Sequence, residues 1–408
     1  MILKENKLMH NKLNILFICN KSPWPPHEGG PIAMNNLIEG VVAAGHKVKV
    51  LAINTNKYNV DISDIPEDYK KQTNIELVYI DLSLKPIPAF LNLFTGKSYH
   101  VERFISDNFR EKLKEVLLNQ KFDIVQIETL FMSPYIDTIR EFSKAPIVLR
   151  AHNIEYLIWT RVASITRNPF KKAYLKHLAK TLENYEKNIL NKYDGIIPIS
   201  SKDEHFFTQT STNPVLTISF GVDTSNLKNE DSECEHALFH IGAMNWIPNQ
   251  EGIKWFLDQV WPKVNRELPQ LKLYLAGREM PNWLKELNQN NVVVVGEVPD
   301  AYSFIKSKSI SIAPLFSGSG IRIKIIESMA LGKAVISTTI GAEGINYTEN
   351  ENIMIADDAK STVEAIKELY TNKDKCDTIG KNARSLILEE HDNSKLVDRL
   401  LNFYHKIM

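Results

Sequence analysis

The sequence is poor in cysteine and carries no net charge. Its 408 residues include three cysteines, Cys19, Cys234 and Cys376, which form no CxxC pair and no metal-ligand spacing. This scarcity argues against a disulfide framework and indicates a reducing compartment. Basic and acidic residues number 49 each, so the formal net charge is zero. We therefore expect no nucleic-acid partner, because domains that bind nucleic acids usually carry a strong positive charge.

Long apolar runs are absent as well. No segment approaches the roughly 20 apolar residues that a membrane-spanning helix needs. The first apolar run, residues 13–19, is followed by Asn20, Lys21 and a proline-rich stretch, and not by the small residues of a signal-peptide cleavage site. We interpret this run as a buried strand and expect a cytoplasmic protein.

Short apolar runs rich in β-branched residues alternate along the chain with segments of helical length. Such runs are typical of strands in a parallel sheet that helices cover on both faces. The sequence therefore predicts an α/β protein. The first set of runs comprises residues 13–19, 47–53, 75–81, 122–128, 146–152, 195–200 and 215–220, and the second set comprises residues 237–242, 272–277, 292–296, 310–315, 334–338 and 353–356.

A polar segment separates the two sets. Residues 223–236 are charged and show no periodicity, which is typical of a linker. We predict two doubly wound, Rossmann-like domains, residues 1–222 and 237–392, facing each other across a cleft. The last helix, within residues 393–408, is expected to pack back on the first domain. Ligands of such sheets bind beyond the carboxyl ends of the strands, so we expect a site between the domains.

A glycine-containing turn in the second domain is the strongest candidate site. Residues 318–320, Gly-Ser-Gly, follow the predicted strand 310–315 and precede a predicted helix over residues 321–331. Glycines let a backbone approach its ligand, and the free N–H groups and dipole at a helix start favour an anion. Arg322 and Lys324 add positive charge in the predicted first turn. The pattern indicates a phosphate-binding loop.

Helical spacing separates a polar face from a packing face. Gly320, Lys324 and Glu327 lie four and three residues apart and so share one side of the predicted helix. Ile321 begins a different, apolar stripe that should pack on the sheet. A backbone N–H, an ammonium and a carboxylate in this order suit a phosphate followed by a ribose, whose two hydroxyls can donate to one carboxylate. The alternative is a surface ion pair between Lys324 and Glu327 on an ordinary helix.

Other candidates follow predicted strands at the same edge of their sheets. His152 can donate a hydrogen bond or a charge to a ligand hydroxyl, and the pair Gly29-Gly30 permits a sharp turn close to a ligand. Structural alternatives are a local backbone contact for His152, a plain loop for the glycines and a helix cap for Glu128. The remaining candidates at strand ends are Glu128, Asn153, Gly242, Asn249 and Arg278.

Several of these motifs together resemble the retaining glycosyltransferases of family 4, which have the two-domain GT-B fold. Gly29-Gly30 and residues 44–48 resemble the first β-α-β unit of that family. Residues 152–155, His-Asn-Ile-Glu, resemble a motif of one bacterial polysaccharide-type branch, and residues 220–223 resemble the passage into the second domain. Residues 318–337 resemble the donor-site signature, which is the most specific part. The resemblance runs nearly end to end.

The resemblance implies a nucleotide-sugar donor, retention of anomeric configuration, and no metal ion or cofactor. It implies that Glu327 binds the ribose hydroxyls and that His152 lies near the primary hydroxyl of the donor sugar. The predicted catalytic residues are His152, Arg322 and Lys324. The predicted donor-binding residues are Gly29, Gly30, Gly242, Gly318, Ser319, Gly320, Ile321 and Glu327, with Glu128, Asn153, Asn249 and Arg278 as weaker candidates.

Three positions depart from the family pattern. Ser319 stands where the family has an acidic residue that holds sugar hydroxyls, which leaves the sugar preference and its effect on activity open. Ala243 and Asn249 stand where the family has an arginine and a lysine that neutralise phosphates. We expect Arg322 and Lys324 to substitute, because a guanidinium binds phosphate oxygens in bidentate fashion and an ammonium acts as a point charge.

Residues 161–192 are rich in lysine and arginine, and their only acids are Glu183 and Glu186. This pattern indicates either a solvated helix face or a contact with an acidic membrane surface, where a lipid-linked acceptor would lie. In the second case the protein would be peripheral to the inner face of the membrane.

The expected function is transfer of a sugar from a nucleoside diphosphate sugar to a hydroxyl of a glycan or lipid-linked acceptor, in the setting of polysaccharide biosynthesis. Two alternatives remain. One is a nucleotide-sugar epimerase or hydrolase on the same fold, although a hydrolase needs a carboxylate pair or an activated water that the sequence does not show. The other is a non-catalytic partner subunit that binds nucleotide sugars, which the departures at Ser319, Ala243 and Asn249 favour.

Overall fold

The chain divides into two compact units in the computed structural model, which describes residues 12–26, 29–83, 92–224, 234–318 and 321–408. The first unit comprises residues 1–219 with residues 396–408, and the second comprises residues 220–395. Each unit contains one six-stranded sheet whose paired strands run parallel, so the predicted α/β class is confirmed. Much of the predicted linker, residues 225–233, lies outside the described residues.

The sheet of the first unit has the strand order β3-β2-β1-β4-β5-β6. Parallel neighbours need crossover connections, and helices supply most of these. The strands are β1 (Asn14–Cys19), β2 (Lys47–Thr55), β3 (Glu76–Ile80), β4 (Ile124–Glu128), β5 (Ile147–Ala151) and β6 (Gly195–Pro198). The helices are α1 (Gly29–Ala43), α2 (Glu67–Thr73), α3 (Tyr99–Glu102), α4 (Asp107–Asn119), α5 (Ile136–Phe142), α6 (Glu155–Ile165), α7 (Pro169–Ile189) and α8 (Ser201–Thr210).

Strand β1 explains why the apolar runs are nearly continuous. Successive side chains of a strand point to opposite faces of the sheet. Leu16 and Ile18 belong to the core on one face, whereas Ile15 and Phe17 belong to the core on the other, and all four are fully buried. Helices α4, α5 and α8 complete the first core, and α1 and α2 contribute to the second. Both faces therefore require apolar residues.

The sheet of the second unit has the order β12-β11-β10-β7-β8-β9. Its core contains the fully buried Trp261, whose Nε1 donates to the carbonyl of Asn290 over 3.0 Å. The strands are β7 (Glu235–Ile241), β8 (Leu273–Ala276), β9 (Val292–Gly296), β10 (Lys308–Ala313), β11 (Ala334–Ser337) and β12 (Met354–Ile355). The helices are α9 (Ile247–Trp255), α10 (Trp261–Glu267), α11 (Asn282–Lys285), α12 (Ala301–Lys306), α13 (Ile323–Ala330), α14 (Ala359–Thr371) and α15 (Lys373–Glu390).

The last helix, α16 (Asn393–Ile407), contributes to the core of the first unit although it follows the second unit in the chain. Leu396, Leu400 and Leu401 are buried among the side chains of β1 and β2, and Tyr404 is fully buried beside them. The apolar stripe of α16 therefore covers the same face of the first sheet as α1.

One predicted strand is not formed. Residues 215–220 make only an isolated bridge with β6, at Val215. The N–H groups of Leu216 and Ile218 donate to carbonyl oxygens of β6 over 3.1 and 3.0 Å. Strand β6 ends at Pro198, which has no N–H to return a hydrogen bond, so the ladder is incomplete. The prediction of a seventh strand was wrong for this reason.

The longest helix of the described residues is α7, with 21 residues. It is amphipathic, since Leu175, Leu178 and Leu182 are buried while its five lysines lie on other faces. Within the described ranges no helix combines the length and the apolar composition needed to cross a bilayer.

Gly252→Ala tests the packing of α9 against the end of β10. A methyl group added at Gly252 would overlap the backbone carbonyl of Pro314. Alanine favours a helix by about 1 kcal/mol, but overpacking a core costs about 1–3 kcal/mol or more. We expect a lower urea midpoint of unfolding. Lys254→Ala, at an exposed position of the same helix, should leave the midpoint nearly unchanged. Equal midpoints for the two variants would contradict close packing at Pro314.

Candidate functional site

Three loops lie side by side at the carboxyl edge of the second sheet, because they follow the neighbouring strands β10, β7 and β8. Gly242, directly after β7, donates its N–H to the carbonyl of Ala276 over 3.1 Å. The N–H of Met244 donates to the carbonyl of Arg278 over 2.8 Å. The structure thus brings Gly242 and Arg278 to the edge at which ligands of such sheets bind. Their donor-binding roles stay predictions.

The turn after β10 is fixed by the contact between Gly318 and Trp246. Gly318 has a φ of 102°, in the left-handed region that favours glycine. A Cβ at this position would lie 2.8 Å from the indole ring of Trp246 and 3.2 Å from Nη2 of Arg322. Any side chain would therefore displace one of these groups. Ser319 and Gly320, which the sequence assigns to the donor site, lie outside the described residues.

Helix α13 begins at Ile323, two residues later than predicted. Arg322 is its N-cap, with φ −92° and ψ 95°, and Ile321 also lies outside the helix. The prediction of two cations in the first turn was therefore wrong for Arg322 and is confirmed for Lys324. Ile325, from the predicted apolar stripe, is fully buried on the sheet. Gly332 follows the helix with a φ of 69°, as a C-terminal glycine should.

Arg322, the N-cap of α13, lies over the indole ring of Trp246. The guanidinium carbon lies 5.3 Å from the centre of the indole ring, a cation–π geometry. Burial lowers the pKa of Arg322, and the charge of Glu343 opposes this shift. The group nevertheless stays protonated near neutral pH. The sequence reasoning did not single out Trp246, although its position just after β7 was a usable signal.

Lys324 reaches from α13 to the loop after β7. Its Nζ donates to Oδ1 of Asn249 over 2.6 Å, and Nδ2 of Asn249 donates to the carbonyl of Ala243 over 2.8 Å. Burial, with repulsion from Arg322, lowers the pKa of Lys324 to about 7. We expected Lys324 to supply a charge missing at Ala243 and Asn249. Lys324 can supply this charge only if it lies beside those two positions, and the structure brings the three residues together.

His240 borders the same group from within β7. Its Nδ1 donates to the carbonyl of Ile312 over 2.9 Å. Burial and the charge of Lys324 lower its pKa well below the usual range, so the ring is neutral. The sequence reasoning missed His240, and the signal was a histidine inside an otherwise apolar strand. Its neutral ring adds no positive charge beside Lys324.

Glu327 lies one turn beyond Lys324 on α13. Its Oε1 accepts a hydrogen bond of 3.3 Å from the hydroxyl of Tyr302. Burial raises the pKa of Glu327 to about 7, although the bond from Tyr302 lowers it. The alternative of a Lys324–Glu327 surface pair is wrong, because Lys324 binds Asn249 and Glu327 binds Tyr302. Tyr302 was also missed, and no pattern in the sequence links it to Glu327.

This edge of the second unit is suited to an anion. Two cationic residues, Arg322 and Lys324, lie close enough for one to lower the pKa of the other. No acidic residue lies in the first turn of α13, and the Arg322 side chain makes no capping bond there. Charges interact by several kcal/mol at contact distance when partly shielded from water, so a phosphate beside both residues would be held strongly.

Glu128, at the end of β4, belongs to a buried network in the first unit. Its Oε1 accepts from Nε2 of Gln126 over 2.5 Å, and its Oε2 lies 2.7 Å from Nε2 of His152 and 3.6 Å from Nη1 of Arg150. Tyr404 of α16 donates in turn to Oε1 of Gln126. Burial would raise the pKa of Glu128, but the charge of Arg150 and the bonds from His152 and Gln126 hold it below its usual value.

This carboxylate decides which nitrogen of His152 carries a hydrogen. An ionised carboxylate can only accept hydrogen bonds, so Nε2 of His152 carries a hydrogen. In the neutral ring Nδ1 is then an acceptor, and the side chain, 11% exposed, lies just beyond β5. In this form Nδ1 of His152 can accept a hydrogen bond from a hydroxyl. The helix-cap alternative for Glu128 was wrong, because its carboxylate binds His152.

Asn153 leads into α6, which Glu186 caps. The carboxylate of Glu186 accepts the N–H groups of Glu155 and Tyr156, both over 3.1 Å. Burial raises the pKa of Glu186 to about 7, and burial with the charge of Glu186 raises the pKa of Glu155 to about 8. Asn153 hydrogen-bonds Glu155, so it has a structural partner, and its donor role stays a prediction. In the described part of the chain, no group of three or more histidine, cysteine, aspartate or glutamate side chains could hold a metal ion.

Gly29 and Gly30 are the first two residues of α1 and do not form a separate turn. A Cβ at Gly30 would lie 3.1 Å from Cε and 3.2 Å from Nζ of Lys21, which follows β1. Glycine at this position thus leaves room for an ammonium beside the start of a helix. Lys21 was not predicted as a site residue, and contact between the donor and either glycine stays a prediction.

Comparison with known families and relatives agrees with this arrangement. Residues 235–372, most of the second unit, match the family described as glycosyl transferases group 1. An uncharacterized 44.6 kDa protein from the cps region of Klebsiella pneumoniae is 25% identical over 395 residues, covering 94% of this chain and 97% of the relative. An uncharacterized glycosyltransferase of Methanocaldococcus jannaschii is 21% identical over 373 residues, covering 86% and 91%.

Solved structures share the fold across nearly the whole chain. Sucrose-phosphate synthase from Thermosynechococcus elongatus superposes with a TM-score of 0.70 at 15% identity, covering 97% of this chain and 99% of the other. HepE of Anabaena in complex with UDP gives 0.67 at 15% identity, covering 97% and 100%. TarM, known from S. aureus, gives 0.66 at 12% identity, covering 96% and 99%. Together with the family match, these likenesses support a glycosyltransferase with the GT-B fold.

Proposed function

We propose that the chain is a retaining glycosyltransferase of family 4 that moves a sugar from a nucleoside diphosphate sugar to a hydroxyl of a glycan or lipid-linked acceptor. The observation that carries the proposal is the pair of cations formed by buried Arg322 and half-buried Lys324, with the Glu327 carboxyl one turn further along α13. Two solved structures of one similar protein, HepE, support the donor class, since one contains UDP and the other UDP-glucose. The proposal requires no metal ion or cofactor and places the enzyme in the cytoplasm, where polysaccharide precursors are assembled.

The donor would bind in the order diphosphate, then ribose, along α13. Arg322 and Lys324 would neutralise the diphosphate, and the start of α13 would add N–H donors. Glu327 would exchange its bond from Tyr302 for the two ribose hydroxyls, which are better placed to satisfy a carboxylate. Ser319 would face the sugar by resemblance, so its hydroxyl would take the place of the acidic residue usual in the family.

The reaction breaks the bond between the anomeric carbon and the diphosphate. Negative charge grows on the leaving diphosphate, and the fixed positive charges of Arg322 and Lys324 stabilise it more in the transition state than in the ground state. The acceptor hydroxyl attacks from the face that the diphosphate leaves and passes its proton to a phosphate oxygen. Retention then needs no enzymic nucleophile. Nδ1 of His152 would accept a hydrogen bond from a donor-sugar hydroxyl.

A first experiment identifies the donor and separates the transferase from its alternatives. A thermal-shift screen of nucleotide sugars should raise the melting temperature with the true donor, since ligands stabilise the state that they bind. Turnover of that donor should then depend on an added glycan or lipid-linked acceptor. Turnover without acceptor would support a hydrolase or epimerase, and binding without turnover across a broad acceptor panel would support a non-catalytic partner subunit.

Lys324→Ala should reduce transfer by about 100- to 1000-fold, because it removes a charge that the transition state uses. The fold should persist, since the substitution relieves a buried ammonium. The matched control is Lys360→Ala, whose side chain is 85% exposed on α14 of the same unit, and its rate should be unchanged. Near-normal transfer by Lys324→Ala, with its melting temperature intact, would overturn the assignment.

Donor affinity should be greatest near pH 7. Glu327 must be ionised to accept from ribose, and its pKa is raised to about 7, so binding weakens as the pH falls below that value. Lys324 must be protonated to hold phosphate, and its pKa is lowered to about 7, so binding weakens as the pH rises above it. Calorimetric titration with the identified nucleotide at several pH values around 7 measures the loss of affinity on the acidic side and on the alkaline side. Glu327→Gln should remove the loss of affinity at acidic pH and keep the loss at alkaline pH. A wild-type affinity that does not change with pH would contradict the roles of both Glu327 and Lys324.

Glu128→Gln should change the tautomer of His152 and leave the binding of the donor nearly unchanged. The neutral amide no longer imposes hydrogen on Nε2, so the ring can adopt either tautomer. We expect nitrogen chemical shifts of His152 to show the Nε2–H form in the wild type and a mixture in the variant, with kcat lowered about 10-fold and KM for the donor little changed. Tyr404→Phe, two hydrogen bonds further away, should have a smaller effect. An unchanged tautomer in Glu128→Gln would disprove this role.

A further inference from the structure

The hairpin of helices α6 and α7 presents apolar side chains to water. The helices are joined by a short turn, where Asn168 caps α7 by accepting the N–H of Lys171 over 2.9 Å. Ile165, the last residue of α6, is 80% exposed, and Phe170, the second residue of α7, is 86% exposed. These are the highest values for large apolar side chains in the described part of the chain. Burial of such a side chain is normally favourable by about 1.5–3 kcal/mol. Contact of this tip with an apolar medium would therefore be favourable.

Positive charge is concentrated in the sequence on both sides of this apolar tip. Residues 156–182 contain six lysines and arginines and no aspartate or glutamate. The first acid beyond them, Glu183, is bound by Lys180 over 3.0 Å and by Lys187 over 2.7 Å. At 1.5 Å per residue it lies about 20 Å along α7 from Phe170. The six cationic residues are Arg161, Arg167, Lys171, Lys172, Lys176 and Lys180.

The base of the hairpin is held firmly by the first unit. Ala163, Leu175 and Leu178 form a buried cluster with Tyr99 of α3. The imidazole of His100 stacks on Trp159 of α6 with ring centres 4.0 Å apart, and Glu186 caps the start of α6. Nζ of Lys172 donates to the carbonyl of Ser164 over 3.1 Å and so ties the two helices together near the tip. A rigid base lets the tip be presented without an ordering cost.

We propose that this tip, defined by Ile165 and Phe170 with the six cationic residues around them, docks on an anionic lipid bilayer. The two apolar side chains would enter the boundary between headgroups and acyl chains, and the long cationic side chains would remain among the anionic headgroups. The proposal concerns a different surface from the candidate donor site. Only its consequence, a preference for a lipid-linked acceptor over a free glycan, rests on the proposed function.

Charge favours a bilayer over other occupants. In a symmetric contact between two copies of the chain, the same patch would face itself, and the six cations of one copy would meet those of the other. A bilayer supplies anionic headgroups beside an apolar layer, which matches both parts of the tip, and each lysine or arginine near such a surface contributes to binding.

The test is flotation of the full-length protein with two kinds of vesicle, pure phosphatidylcholine and phosphatidylcholine mixed with phosphatidylglycerol. We expect binding to the mixed vesicles, little binding to the neutral ones, and release by salt. The double variant Ile165→Ser/Phe170→Ser should bind the mixed vesicles at least about 10-fold more weakly, as should the charge variant Arg167→Glu/Lys171→Glu. The matched control, Leu118→Ser/Lys121→Glu, changes a 64% exposed leucine and an exposed lysine on another surface of the same unit and should bind like the wild type.

Equal binding to both vesicle types, or full binding by the two tip variants, would overturn the proposal. A dimer in solution that both tip variants dissociate would assign the tip to a second copy and overturn it as well. Nucleotide-sugar binding, measured in parallel, should be the same in the tip variants and the wild type. Vesicle binding without any sugar transfer would leave the docking surface intact and count against the proposed function alone, so the two failures are distinguishable.

Discussion

The burial of positive charge at Arg322 and Lys324 is the constraint on which the candidate donor site depends. A lysine removed from water loses its proton more readily, and the neighbouring guanidinium adds to this effect, so the pKa of Lys324 falls to about 7. The charge of Glu343 acts on Arg322 and offsets part of the effect of burial. Asn249 binds the ammonium through a neutral amide, Trp246 faces the guanidinium, and His240 is neutral. A phosphate beside the two side chains would add its negative charge to that of Glu343 and would raise the pKa of Lys324.

In the first unit, the buried charge of Glu128 has several contacting partners. Glu128 is enclosed by Arg150, Gln126 and His152, which supply the charge and the hydrogen bonds that an ionised carboxylate needs. The negative charge of Glu128 is thus stabilised by contacts within the protein. Its effect beyond these contacts is to orient the ring of His152. Because Tyr404 binds Gln126, helix α16 takes part in this arrangement through the side chain of one residue. The two units therefore differ: the second carries two neighbouring cations, Arg322 and Lys324, and the first carries a histidine, His152, that Glu128 orients.

A third group of charges remains in water. Most cations of α6 and α7 are exposed, so they cost the fold little, but exposed apolar side chains lie in the same hairpin. Solvated charges act at longer range and are weakened by salt, whereas buried charges act at contact and are screened much less. This difference separates a surface suited to a lipid bilayer from an edge suited to a phosphate.

The amino-acid sequence by itself determined the α/β class and the positions of twelve of the thirteen predicted strands, because strands buried on both faces must be apolar along their whole length. It also located the turn at Gly318, the cations after it and Glu327, since glycine turns and helix starts are local features. Tertiary structure decided the rest. Pro198 prevented the thirteenth strand, and α13 begins two residues later than predicted, with Arg322 as its N-cap. Lys324 met Asn249, 75 positions away, because β7 and β10 are neighbours in the sheet although they are far apart in sequence. Tyr302 met Glu327, 25 positions away, because the helices before and after β10 pack on the same unit. Such meetings depend on the path of the whole chain, which no local pattern encodes.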